Sequence, residues 1–143
     1  KWVSKKENLL FSIFFEMNQK NISFEHFAIL NAYLLKDILS KKISKKIKIK
    51  WPNDLLFNNK KVCGILQEVM NYQEKKFLIV GIGINTNLNP KNNGFLSTSL
   101  KDIKKIRIDN SKVLNNIKNK YEKFLKKAKK QSFLELKKYI NKI

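Results

Sequence analysis

Three short stretches, Lys50-Trp51-Pro52-Asn53-Asp54, Lys61-Val62-Cys63-Gly64 and Gly81-Ile82-Gly83-Ile84-Asn85, set polar residues and glycines inside apolar runs. A fold alone does not require that mixture. Asn53 and Asp54 directly follow a proline that stops a strand, and Lys61 is a cation entering an otherwise apolar strand. Gly64, Gly81 and Gly83 are three of only four glycines in the chain, and all lie in strand-like segments. A glycine there weakens a strand and usually marks close approach by a ligand or another backbone. A carboxylate, amides, a lysine and bare backbone together suit a phosphate-bearing or acylated small molecule.

Each residue also has a plainer reading. Pro-Asn-Asp is ordinary turn chemistry, in which side chains bond to nearby backbone. Lys61 beside Lys60 fits a solvated hairpin lysine, the glycines fit close packing, and Asn85 fits the turn at a strand end. Gly81-Ile82-Gly83 is not a dinucleotide fingerprint, because Thr86 replaces the third glycine and a loop follows rather than a helix. Cys63 reads as a small core residue. His26 has no neighbours at metal-ligand spacing, and no serine or cysteine nucleophile with a partnered histidine is visible.

The elements that would position these residues follow from periodicity. Leu9, Phe11, Ile13 and Phe15 share one face of an alternating strand. Ser23 is placed to cap a helix running to about Leu39, with Phe27, Leu30, Leu34 and Ile38 as its apolar stripe. Lys46 to Trp51 alternates strictly and ends at Pro52, a half-buried strand. Leu55-Leu56-Phe57 and Val62 to Met70 form a hairpin through Asn58-Asn59-Lys60, where asparagine tolerates positive φ. Phe77 to Ile84 is almost wholly apolar, which predicts a central strand buried on both faces. A loop over 85–94 precedes a helix from Ser111 lined by Val113, Leu114, Ile117, Tyr121, Phe124, Leu125 and Ala128. Phe133, Leu136, Ile140 and Ile143 continue as a second helix. The expected class is α+β, a mostly antiparallel mixed sheet with helices packed on it.

At 143 residues the chain is one domain with room for a real core. No stretch approaches the ~20 consecutive apolar residues of a membrane span, and the first residues lack the order of a signal peptide. A single cysteine fits a reducing cytoplasm. The formal net charge of +20 invites a nucleic-acid reading. Against it, Arg107 is the only arginine, and the lysines are spread along the chain rather than gathered into a block. Sequence-specific binders favour arginine for bidentate contacts. A diffuse, salt-sensitive affinity is the expectation, with a basic nucleic-acid-binding module kept as an alternative function.

The string KWPNDLLFNNKKVCGILQE, followed by FLIVGIGINTN, resembles the catalytic domain of biotin–protein ligases. Ser97-Thr98-Ser99-Leu100 is similar to that family's Ala-Thr-Ser-Leu stretch. The resemblance runs over nearly the whole chain and implies a fold similar to the class II aminoacyl-tRNA synthetase and biotin ligase catalytic fold. It implies a cytoplasmic enzyme that condenses biotin with ATP, as its Mg²⁺ complex, to biotinyl-AMP. Biotin then passes to a lysine of the biotin carboxyl carrier protein or domain of acetyl-CoA carboxylase, with a homodimer allowed. A lipoate or octanoate transferase of related architecture is the alternative within enzymes.

Residue by residue, the resemblance assigns Lys61 to the biotin carboxylate and the α-phosphate, making it the catalytic candidate. Gly64, Gly81 and Gly83 would let biotin lie against backbone. Trp2, Asn53, Asp54 and Asn85 would face the adenylate, and Asp54 would hold Mg²⁺ or orient the incoming amine. The family's arginine–glycine loop precedes the Lys-Trp that opens this chain, and a small domain usually follows. Residues 1–143 are therefore expected to be a partial catalytic domain, unable to ligate biotin as it stands.

Overall fold

The structure, a computed structural model, describes residues 6–18, 22–91 and 94–141. Leu9–Glu16 (β1), Ile47–Lys50 (β2), Asp54–Phe57 (β3), Lys60–Tyr72 (β4) and Lys75–Ile84 (β5) form one sheet in the order β1-β5-β4-β3-β2. Every adjacent pair is antiparallel. The parallel component is one isolated bridge between Lys61 and Ser97. With its helices, the fold is α+β in class, as the strand and helix periods imply.

Local chemistry sets the joints. Asn58 and Asn59 take φ of 46° and 61° between β3 and β4, the left-handed pair that a two-residue hairpin requires. Gln73 and Glu74 do the same between β4 and β5, with φ of 44° and 60°, at a turn without glycine or asparagine at its centre. A register shift between Leu55 and Leu56 marks a bulge opposite Lys61 and Cys63. Bulges bend a strand and re-aim its side chains. The Trp51–Pro52 peptide is cis and joins β2 to β3.

Phe24–Lys42 (α1) lies against one face of the sheet, extending three residues beyond the expected end at Leu39. Its N-terminus is closed reciprocally, for the Ser23 hydroxyl accepts from the His26 amide while the Ser23 amide donates to His26 Nδ1. Phe27, Leu30, Leu34 and Ile38 are buried, as their spacing demands. Phe27 meets Phe15 of β1 at 5.2 Å between ring centroids. Asn110–Ala128 (α3) and Phe133–Asn141 (α4) pack onto α1 in turn. Tyr121, Phe124 and Leu136 are buried there, whereas Leu114 is partly exposed. Ile140 and Ile143 lie outside the residues whose side chains are described. Leu100–Lys104 (α2) is a single short turn of helix that hydrophobic periodicity missed. Five residues are too few to show a period, and Ser99 as N-cap with Asp102 in the first turn was its local signal.

One expectation needs correction. β5 is not buried on both faces: Leu78, Val80, Ile82 and Ile84 are buried, but Phe77, Ile79 and Gly81 are only half-buried. The helices cover one face of the sheet and leave the other open. Leu10, Phe14, Leu66 and Met70 stand exposed on that open face.

A polar chain crosses the helix-covered core. Tyr121 Oη donates to Asn31 Oδ1 at 3.1 Å, Asn31 Nδ2 to Gln67 Oε1 at 2.7 Å, and Gln67 Nε2 to the Phe24 carbonyl at 2.8 Å. Burial also raises the Tyr121 phenol well above its ordinary range, so it remains the donor. Asn31→Ala orphans groups on both sides at once and is expected to cost roughly 2–4 kcal/mol, at ~1–3 kcal/mol per unsatisfied buried group. Tyr121→Phe strands only the Asn31 carbonyl and should cost about half as much. Urea denaturation of the two variants checks the order.

Candidate active site

The open face carries a cleft of about 370 Å³ floored by the strand glycines. Its position follows from strand register. Gly83 pairs with Leu10 on one side and Gly64 on the other, and Gly64 pairs with Asp54. Paired residues project to the same face of a sheet. Leu10, Gly83, Gly64 and Asp54 thus make a row across four strands with no side chain at its centre. Gly81 pairs with Ser12 and Leu66 and extends the bare floor by one more row. A Cβ built at Gly81 would meet nothing closer than the Leu66 carbonyl oxygen at 3.7 Å and Leu66 Cβ at 3.8 Å. Those are ordinary contacts, so packing within the protein does not demand this glycine.

At the end of that row, Lys61 Nζ lies 2.6 Å from Asp54 Oδ1. Both side chains are about one-fifth exposed. The same ammonium sits 5.2 Å from the centroid of the Phe95 ring. Lys60, its neighbour, is exposed. The difference comes from the backbone: the Lys61 amide donates to the Leu96 carbonyl at 2.8 Å, and its carbonyl accepts from the Thr98 amide at 2.9 Å. The segment after the loop thereby fastens the start of β4, just where the bulge lies.

Asn53 faces the cleft from the turn before β3. Its Nδ2 donates to the Ile65 carbonyl at 3.0 Å, and its own carbonyl accepts from the Ile65 amide at 2.8 Å. The bond that Asn53 makes thus reaches across to β4, twelve residues on, rather than to the backbone of its own turn. Asn85 is placed differently. It is 1% exposed, does not line the cleft, and its side chain is engaged within the protein. Trp2 lies outside the described residues. Phe95, Leu10 and Leu66 line the cleft and were not singled out by sequence. Phe95 sits in the loop that glycine and asparagine mark, where aromatic residues have no periodic context to interpret.

Cys63 is fully buried beneath this site, on the helix-facing side. Burial, and then the Asp54 charge, push its thiol up to about 12, with Lys61 acting weakly in the other direction. The raised value means that folding disfavours the thiolate, so its contribution to stability holds below about pH 9 and is lost as pH rises towards 12. Iodoacetamide at pH 8 should leave Cys63 unmodified in the native protein and alkylate it readily in urea, as intact mass would show. Rapid native labelling would contradict this burial.

Asp54 is the one carboxylate lining the cleft among the described residues. No group of three or more His, Cys, Asp or Glu side chains suited to a metal occurs among them. No described helix is long and apolar enough to cross a membrane.

The family model described as "Biotin/lipoate A/B protein ligase family" matches residues 1–85. Biotin–protein ligase 2 of Arabidopsis thaliana is 32% identical over 145 residues, covering 94% of this chain and 43% of that protein. The bifunctional ligase/repressor BirA of Bacillus subtilis is 40% identical over 82 residues, covering 52% of this chain and 25% of that protein. The chain therefore spans less than half of these relatives. Among solved structures, the biotin protein ligase of Aquifex aeolicus in complex with biotin and ATP superposes with a TM-score of 0.78 at 32% identity. That match covers 98% of this chain and 59% of the other.

Proposed function

This chain belongs to the biotin/lipoate A/B protein ligase family, and from that premise we propose that its cleft binds biotin and ATP and joins them as biotinyl-AMP. The observation that carries the reading is the glycine-floored row ending in the Lys61–Asp54 pair. The bare floor suits an acyl chain lying along the sheet, with Leu10 and Leu66 as its apolar walls. In the first step a biotin carboxylate oxygen attacks the α-phosphorus and pyrophosphate leaves. Two anions must approach, and one cation placed between them lowers that barrier by charge stabilisation. Lys61 is that cation. It is held in reserve by Asp54 and exchanges this partner for phosphate when the nucleotide enters.

In the second step the amine of a carrier-protein lysine attacks the acyl carbon and AMP leaves, the amine losing a proton. Asp54, released by Lys61, orients that amine. Mg²⁺ enters as part of the nucleotide substrate, and Asp54 is the carboxylate at hand to it. Asn53 contributes a polar edge towards the adenosine. The biotin carboxyl carrier domain is the protein partner, and the cytoplasm is the setting.

The test is to supply the natural polypeptide with ATP, a purified carrier domain and either biotin or lipoate. ATP-dependent biotin transfer, read with labelled streptavidin, is the expected result. Lipoyl transfer without biotin transfer would replace the substrate assignment, and neither transfer would remove the reading.

A further inference from the structure

Lysines that lie scattered along the sequence are gathered in space by the last two helices. Residues 110–141 carry ten lysines and two carboxylates, Glu122 and Glu135. On α3, Ile117, Tyr121, Phe124 and Ala128 recur at helical spacing and are buried. Lys112, Asn116, Asn119, Lys123 and Lys126 recur at the same spacing, roughly half a turn away from that buried line. All of these are exposed except Asn116, which is half-buried. Lys129 and Lys130 continue the stripe in the turn that closes α3, and both are exposed. There Lys126, Lys127, Lys129, Lys130 and Gln131 line a surface hollow of about 530 Å³.

The protein itself neutralises little of this charge. Lys112 reaches Asp109 at 3.9 Å and Lys118 reaches Glu122 at 4.0 Å, between exposed side chains. Pairs of that kind contribute little. Among the described residues, Lys123, Lys126, Lys129 and Lys130 form no ion pair. Cations in a last helical turn complement the negative end of the helix dipole, which accounts for Lys126. It does not account for Lys123, a turn earlier, nor for Lys112 in the first turn, where the dipole opposes a cation.

We propose that the outward face of α3 is a binding surface for the phosphate backbone of a nucleic acid, held without sequence preference. From Lys112 to Lys130 the helix and its closing turn span roughly 27 Å, the axial rise of about eight base pairs. A regular repeat of one sign suits a polymer of evenly spaced phosphates. The lysines supply charge, and the Asn116 and Asn119 amides are donors for phosphate and sugar oxygens. Arginine, which reads base edges in bidentate fashion, is absent from the stripe. So are the large apolar side chains that a helix lying in a lipid surface inserts. α3 packs on α1, and α1 lies on the sheet face opposite the cleft. A polypeptide engaged at the cleft therefore leaves the stripe to a second partner.

The experiment titrates the natural polypeptide with a short fluorescent DNA duplex and with a scrambled duplex of the same composition, between about 50 and 200 mM salt. Two variants then remove equal charge from different places. The first combines Lys112→Gln, Lys123→Gln, Lys126→Gln and Lys130→Gln. The second combines Lys42→Gln, Lys45→Gln, Lys46→Gln and Lys48→Gln, whose lysines are also exposed but lie on α1, β2 and the turn between them. Glutamine matches lysine closely in helix propensity, and thermal melts verify that both variants fold. The two duplexes are expected to bind the natural polypeptide alike. The stripe variant should bind at least about tenfold more weakly at the lower salt, with the slope of log affinity on log salt shallower by about three. The second variant should lose less than about threefold. Biotinyl-adenylate formation should be unchanged in both. Equal losses from the two variants would mean that the attraction is diffuse, and would overturn the proposal. So would competition by polyglutamate, or by vesicles of phosphatidylcholine and phosphatidylserine, as strong as that of unlabelled duplex at equal charge. Those results would assign the stripe to an acidic protein or to a lipid surface.

Discussion

Lys61→Met is expected to lower biotinyl-adenylate formation roughly ten- to a hundredfold while the fold survives. Methionine keeps an apolar stem where the lysine chain passes Phe95, and removes only the charge. One charge-assisted contact contributes ~1.5–3 kcal/mol, which is the size of that rate loss. The stability effect is read separately. The pair is only about one-fifth exposed, so its loss should fall between the ~1 kcal/mol or less of an exposed pair and the ~3–5 kcal/mol of breaking a buried one. Lys60→Ala is the comparison, since its side chain is exposed and outside the cleft. Stopped pyrophosphate assays alongside thermal melts separate catalysis from folding. Equal losses from the two substitutions would mean that the wrong lysine has been chosen.

Gly81→Ala should abolish most biotin affinity without harming the protein. The added methyl would stand in ordinary van der Waals contact with Leu66, so the fold has room for it. Alanine also loses less backbone entropy than glycine on entering a strand, a gain of about 0.5–1 kcal/mol. The methyl would occupy the floor of the cleft, where the acyl chain is proposed to lie. A single methyl group in such a pocket discriminates by roughly ten- to two-hundredfold. Isothermal titration with biotin, together with a melt, reads both halves. Undiminished affinity would place biotin elsewhere, and a marked loss of stability would show that the glycine is structural after all.

Much of this was legible in the chain. The alternation of Leu9, Phe11, Ile13 and Phe15, the stripe from Phe27 to Ile38, and the Asn58-Asn59 turn are local patterns with local causes, and the structure shows each. The unusual residue types were legible too, because a lysine and three glycines within strand-like runs contradict what strands prefer. Their convergence was not. Gly64 and Gly83 are distant in sequence and become neighbours only through the pairing of β4 with β5.

What tertiary structure alone decided is which face each residue serves. Periodicity in an apolar run such as Phe77 to Ile84 cannot say whether one or both faces are covered, since that depends on where helices far along the chain come to rest. They rest on one side only, and the open side carries the cleft that the glycines line. The Lys61–Asp54 pair likewise depends on a bulge that shifts the β3–β4 register, and no residue pattern announced it. Asn85 makes the division plainest. Its type and place at the end of β5 were evident from sequence, but the direction of its amide follows from carbonyls supplied by Lys61 and Thr98, which only the folded chain brings together. Sequence by itself determined which residues could not be ordinary strand, because propensity is local. The structure determined what each of them faces, because partners are not.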